Sequence, residues 1–238
     1  LNLINSFTGI LDLATYTLAI AAYGHRIREL LLIENRFSAT SHTRYVNTAS
    51  MLPSQKEEAQ ILLRVKDLSV LAPQNSSSAK RLLVSRLSFE IHEGHHTVIM
   101  GPSGAGKTTL LRMLAGLRPS SGISFFVPIA DIMFAPQKPY VFVGTIMNNL
   151  TYPHLSCTRQ FAEQLLHQLD LMKTVKTIGW NTVHDWTLLS PGEQQRIAFA
   201  RLLIAKPALA ILDEATSSLP PRMERKCLSL LTHCGTTY

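Results

Sequence analysis

The stretch Thr97-Val98-Ile99-Met100-Gly101-Pro102-Ser103-Gly104-Ala105-Gly106-Lys107-Thr108-Thr109 decides the fold. Four residues of strand-like character run straight into a glycine-rich loop. The pattern Gly101-x-x-x-x-Gly106-Lys107-Thr108 then opens an apolar helix, predicted over 107–117 and stopped by Gly116, Pro119 and Gly122. Glycines in such a loop let backbone N–H groups converge on phosphate oxygens with no side chain in the way. The spacing assigns Gly101, Pro102, Ser103, Gly104, Ala105, Gly106, Lys107, Thr108 and Thr109 to a phosphate cradle. Lys107 adds a mobile point charge for the β- and γ-phosphates, and the Thr108 hydroxyl is suited to Mg²⁺. The following helix points its positive end at the anion.

Two further stretches agree with this chemistry. Ala208–Leu212 is a continuous apolar run that ends at Asp213-Glu214. Asp213 at a strand end is placed to hold Mg²⁺ through water, because Mg²⁺ keeps much of its hydration shell. Glu214 is placed as a general base for an attacking water. Upstream, Leu189-Ser190-Pro191-Gly192-Glu193-Gln194-Gln195-Arg196 has the features of a helix start. Ser190 is an N-cap, Pro191 suits the first turn, and Glu193 completes a capping box. Gly192 in that turn is read as leaving N–H groups open to a second phosphate.

Bulk composition bounds the rest. The 238 residues carry a net charge of +7, with 46% hydrophobic and 16% charged residues. That suits a globular domain with one sizeable core and a smaller satellite. The basic residues are scattered without a dense run, so the charge reads as a solvated surface rather than a nucleic-acid footprint. Three cysteines, Cys157, Cys227 and Cys234, have no metal spacing and suit free thiols in a reducing compartment.

Along the chain, Leu3, Phe7, Ile10, Leu11, Ala14, Leu18 and Ala21 recur at helical steps. The polar residues among them point to the end of a bundle helix leaving a membrane, over 1–34 with its cytosolic extension, with a buried helix of a soluble domain as the alternative. Arg26, Arg28, Arg36 and Arg44 follow, which suggests the cytoplasmic side. Residues 35–59 read as a linker and 60–238 as one domain. Strands are predicted at 61–65, 82–91, 97–100, 132–134 and 208–212. Residues 145–186 are helical in pattern, with Phe161, Leu165, Leu166 and Leu169 on one face. His92, His95, His96, His154, His167 and His184 show no ligand spacing, and Trp180 and Trp186 read as packing anchors.

These motifs together resemble the ATP-binding domain of ATP-binding cassette (ABC) transporters. Leu189–Arg196 looks like the family's signature motif. Phe134-Ala135-Pro136-Gln137 resembles its Q-loop, and Ala215-Thr216-Ser217-Ser218-Leu219 the start of its D-loop. The Pro191–Arg196 wording and Ala22–Leu30 are similar to subfamily D half-transporters, which include lysosomal cobalamin and peroxisomal acyl-CoA carriers. The resemblance implies an α/β fold. A P-loop NTPase, RecA-like core would carry an antiparallel β subdomain and a helical subdomain (about 145–195), preceded by the end of a transmembrane helix. It implies ATP and Mg²⁺ as ligands, with Gln137 sensing Mg²⁺ beside Thr108 and Asp213. Glu214 would be the catalytic base, assisted by Gln137 and Lys107. Ser190, Gly192 and Gln194 would contact ATP held by the P-loop of a second half-transporter subunit. The partners implied are that subunit, in a homodimer or heterodimer, and the chain's own membrane domain. The location implied is an organelle membrane (lysosome, peroxisome or ER) with this domain facing the cytosol, and a bacterial inner membrane is the alternative.

Departures from the family pattern accompany the resemblance. Pro220, followed by Pro221, stands where the D-loop normally ends in Asp. No aromatic residue precedes the P-loop near Val70–Pro73 to stack on adenine. The family's switch histidine would fall after Tyr238, and His233 lies too early for it. These departures leave a second reading open: a nucleotide-binding module without turnover that associates with a full-length partner.

Overall fold

The computed structural model describes residues 60–72, 81–118, 120, 122–153 and 155–238, together with the backbone of Arg44–Tyr45. The chain divides into Leu1–His42 and Thr43–Tyr238. The helix expected within 1–34 lies outside the described residues, as does most of the expected linker. No helix among the described residues is long and apolar enough to cross a membrane.

The first layer is a four-stranded sheet in the order β1-β4-β2-β3. Its strands are β1 (Arg44–Tyr45), β2 (Ile61–Leu71), β3 (Leu82–His92) and β4 (Ile123–Phe125). β2 pairs antiparallel with both β3 and β4, and β1 pairs parallel with β4. A strand thus sits inside the stretch read as linker. β2 is also six residues longer than its apolar start suggests, because irregularities let it continue past Val65. Asp67 and Arg86 both take positive φ there, at 51°, a conformation uncommon outside glycine. Gly122 is required beside this bulge. Its φ is +86°, and a Cβ would stand 2.2 Å from the Lys66 carbonyl oxygen.

β5 (Ile132–Ala135) and β8 (Leu209–Leu212) form a parallel pair, with Ile132 opposite Leu209 and Ala135 opposite Leu212. β8 joins the two cores. Leu209 and Ile211 face a cluster with the β2 side chains and Leu110, Met113 and Leu114 of α1 (Lys107–Leu114). Ala210 faces the other cluster, built on helices. Alternation of side chains along a strand makes this possible, and burial on both faces explains the unbroken apolar run.

The helical side consists of α2 (Ile146–Leu150), α3 (Arg159–Gln168), α4 (Met172–Ile178) and α5 (Pro191–Ala205), followed by α6 (Pro221–His233). The helical pattern over 145–186 therefore resolves into three short helices rather than a continuous one. Asp170 (φ 53°) and Gly179 (φ 102°) break it, and β6 (Val143–Gly144) pairs with β7 (His184–Asp185) across its ends. Ala162, Leu165, Leu166 and Leu169 are buried as one face of α3 and its C-cap, with Phe161 at the margin. Trp186 is fully buried and donates from Nε1 to the Gly144 carbonyl at 2.8 Å.

The strand expected at 97–100 does not form. Thr97 donates to the Tyr238 carbonyl at 2.8 Å, but Val98 and Met100 are 80% and 87% exposed. A strand is defined by a hydrogen-bonded neighbour, and among the described residues this segment has one only at Thr97. Apolar character alone therefore misplaced it.

Candidate functional site

The glycine loop and α1 build one wall of a cavity of about 400 Å³ lined by Ser103, Gly104, Gly106, Lys107, Thr108, Thr109 and Glu214. Gly104 (φ +76°) has nothing within 4 Å of where a Cβ would lie, so the cradle face is open. Gly106 is favoured by its backbone conformation and by the closeness of the Leu83 side chain. Its φ is +96°, and a Cβ would meet Leu83 Cδ1 at 2.8 Å. Lys107 Nζ donates to the carbonyls of Gly101 (2.8 Å) and Pro102 (3.0 Å), which folds the loop around its own cation.

Strand β8 delivers the acidic pair. Asp213 N donates to the Ala135 carbonyl at 2.9 Å, which extends the β5–β8 ladder by one bond. The buried Asp213 carboxylate accepts from Thr108 Oγ1 at 2.9 Å. Residues 105 apart in sequence thus place two hard oxygen donors together. Glu214 has positive φ, 49°, which turns its side chain out of the strand line. Its Oε2 accepts from Gln137 Nε2 at 2.9 Å. Lys107, Thr108 and Glu214 thus line one cavity, with Asp213 bonded to Thr108 and Gln137 bonded to Glu214. The donor set suits Mg²⁺, a hard cation that takes oxygen ligands. Ala72, Arg81 and Leu83 also line the cavity, an aliphatic and cationic surface without an aromatic ring among the described residues.

The second helix start lies apart from this cavity. Ser190 and Glu193 form the expected capping box. Ser190 Oγ accepts from Glu193 N at 3.3 Å, and Glu193 Oε2 accepts from Ser190 N at 3.1 Å. Glu193 Oε1 also accepts from Thr174 Oγ1 at 2.7 Å. Partial burial pushes the Glu193 carboxyl up, but the hydrogen bonds from Thr174 and Ser190 outweigh it and hold the group below its usual value. Ser190 and Gly192 line a cleft of about 720 Å³ with Arg196, Arg222 and Lys226. Gln194 lies on a different cleft with Gln137, and its amide donates to the Thr187 (3.0 Å) and Leu189 (2.9 Å) carbonyls. Within one chain, Ser190 and Gly192 are thus not brought to the glycine loop.

Gly192 also has a packing role that the sequence did not reveal. A Cβ there would stand 2.9 Å from the Ser218 carbonyl oxygen. The helix start therefore rests directly on the 217–218 turn. Pro220 and Pro221 supply the N-cap and first residue of α6, positions where a missing N–H costs nothing. Sequence reasoning also missed Arg201. It is 6% exposed and donates to the Asn149 (2.6 Å) and Tyr140 (2.5 Å) carbonyls, tying down the chain that follows Gln137. Burial pulls its guanidinium down to about 10, against the opposing effect of Tyr152 and Tyr140.

A phosphate cradle, a strand-end Asp bonded to the cradle's Thr, and a neighbouring Glu define a P-loop nucleotide-binding domain. Residues 84–217 match the ABC transporter family, and the chain belongs to it. An uncharacterized ABC transporter ATP-binding protein of Synechocystis is 42% identical over 173 residues, covering 71% of this chain and 26% of the relative. The lysosomal cobalamin transporter of Homo sapiens is 32% identical over 260 residues, covering 99% and 42%. ABC transporter D family member 2 of Arabidopsis thaliana, chloroplastic, is 31% identical over 256 residues, covering 87% and 35%. Among solved structures, a bacterial Atm1-family ABC exporter with ATP bound superposes with a TM-score of 0.62 at 26% identity, covering 88% of this chain and 39% of that one. The chain spans less than half the length of these relatives.

Proposed function

We propose that this chain is the ATP-binding and hydrolysing end of a subfamily D half-transporter that powers transport across an organelle membrane. The observation that carries the reading is the Thr108 Oγ1–Asp213 Oδ1 contact at 2.9 Å beside the Lys107 cradle. Thr108 and Asp213 would hold Mg²⁺, with Gln137 next to them. The ion would neutralise charge on the β- and γ-phosphates. The loop N–H groups and Lys107 bind and orient the triphosphate. Glu214, held by the Gln137 amide, takes the proton of the attacking water. Most of the catalysis is positioning and charge stabilisation.

Ser190 and Gly192 face a separate cleft, so they serve a nucleotide held by a second subunit. Two such domains would close head to tail over two ATP molecules and move the membrane helices to which each belongs. The D-family names of the relatives, one lysosomal and one chloroplastic, support an organelle membrane; on this proposal the domain lies on the cytosolic face of a lysosomal, peroxisomal or ER membrane.

The test uses the purified chain with a fluorescent ATP analogue and a phosphate-release assay. Wild type binds nucleotide in a Mg²⁺-dependent manner. Lys107→Ala loses binding. Glu214→Gln keeps binding, loses turnover and accumulates as an ATP-bound dimer. Nucleotide binding unchanged in Lys107→Ala would overturn the reading. Binding without turnover in wild type, persisting when the full-length partner is added, would instead favour the non-hydrolysing module.

A further inference from the structure

Gln195 is a polar side chain only 2% exposed, in the second turn of α5. Its amide is fully engaged with two segments that come from elsewhere in the chain. Nε2 donates to the Gln137 carbonyl at 3.3 Å and to Ser217 Oγ at 3.2 Å, and Oε1 accepts from Ser218 N at 2.9 Å. A glutamine amide carries two N–H donors, and both are spent here. Gln137 is the residue whose side chain reaches Glu214. Ser217 N donates in turn to the Glu214 carbonyl at 3.0 Å. Gln195 therefore bridges the backbones on either side of the Gln137–Glu214 contact. Gly192, one turn earlier on the same helix, lets α5 approach closely enough for this by leaving only 2.9 Å between its would-be Cβ and the Ser218 oxygen.

We propose that Gln195 is a positioning residue. It fixes the Gln137 segment and the 217–218 turn at the separation that lets the Gln137 amide hold the Glu214 carboxylate, and it links both to the helix that begins at Ser190. The inference rests on the ATPase reading above for its kinetic consequence. Its geometric content stands without that reading. Removing the amide takes the shared partner from a carbonyl, a hydroxyl and an N–H whose bonds to it are part-buried, and each bond lost loosens the hold on its loop. The two loops then drift independently, while the Lys107 cradle, which Gln195 does not touch, keeps its affinity.

The experiment compares wild type, Gln195→Leu and Gln195→Glu in the full chain. Gln195→Glu keeps an acceptor for Ser218 N but loses the donors to Gln137 and Ser217, so it guards against simple misfolding of the apolar variant. Two readouts are taken. The first is kcat and KM for ATP hydrolysis beside the nucleotide Kd. We expect kcat to fall about tenfold or more in both variants, with Kd and KM within twofold of wild type. Unchanged kcat, or a loss confined to Kd, would overturn the proposal. The second is amide hydrogen exchange at Asp213, whose N–H is held by the Ala135 carbonyl two residues before Gln137, and at Ser217 and Ser218, which needs no turnover. In Gln195→Leu exchange accelerates at all three together; acceleration confined to Ser217 and Ser218 would show Gln195 to be a local cap and overturn the proposal. Wild type that neither binds nor hydrolyses ATP, with joint acceleration in Gln195→Leu, would refute the ATPase reading and leave the bridge standing.

Discussion

Replacing Gly192 by alanine separates two accounts of that glycine by the sign of one number. In the first turn of α5, alanine is intrinsically better than glycine. The gain from reduced backbone freedom is about 0.5–1 kcal/mol. If Gly192 merely kept N–H groups uncovered, Gly192→Ala would raise stability by roughly that amount. The structure says otherwise. The added Cβ would lie 2.9 Å from the Ser218 carbonyl oxygen and 3.9 Å from Leu219 Cδ2. The obstacle at 2.9 Å is backbone, so it cannot swing aside as a flexible side chain would. Relief needs α5 or the turn to shift by a few tenths of an ångström, which strains the 2.9 Å bond from Ser218 N to Gln195. Overpacking of this kind costs about 1–3 kcal/mol. The midpoints of the two ranges leave a net loss of about 1.25 kcal/mol, equivalent to a fall in Tm of roughly 2–5 °C for a domain of this size. Gly101→Ala is the control. Its Cβ would meet nothing closer than Ala105 Cβ at 3.7 Å, an ordinary contact, so its Tm should stay within a degree or two of wild type or rise. Thermal unfolding followed by circular dichroism measures both. A Tm for Gly192→Ala at or above wild type would refute the close-approach account.

Other substitutions probe the same frame. Gly122→Ala, with φ +86° and a carbonyl 2.2 Å from its Cβ, should cost more than Gly192→Ala, on the order of 3 kcal/mol or more, and denaturant unfolding would show it. Ser190→Ala removes the cap of α5 and should cost about 1 kcal/mol; an unchanged denaturation midpoint would count against the capping box. Glu193 has a carboxyl held below its ordinary value near 4.5. Its contribution is therefore full above about pH 4.5 and is lost as pH falls through the lower folded value, so Glu193→Gln should flatten the acid limb of the stability profile. The Cys227 thiol is buried and pushed up to about 12. At pH 8 a thiol reagent should label the exposed Cys234 and leave Cys227 untouched until the domain unfolds; rapid labelling of Cys227 in the native state would contradict that burial.

Sequence alone placed the glycine loop ahead of α1, the acidic pair at the end of β8, the capping box at Ser190 and the apolar face of α3. Each is a local pattern in which residue type and spacing carry the physics: glycines at fixed intervals, a strand ending in carboxylates, Ser and Glu three apart, apolar residues at helical steps. It misjudged Thr97–Met100, because an apolar run states only that burial is favourable, while a strand needs a hydrogen-bonded neighbour. It read 145–186 as helical throughout, because breaks at Asp170 and Gly179 depend on backbone conformations that tertiary packing selects. What only the folded chain decided is which distant segments meet. Thr108 meets Asp213 across 105 positions and Gln137 meets Glu214 across 77, whereas Gln194 spends its amide on carbonyls of its own neighbourhood. Gln195, one residue further along the same helix, looks no different in sequence. It is buried and bridges two loops because the helix turns it by about 100° relative to Gln194 onto the face that Gly192 lets approach the 217–218 turn.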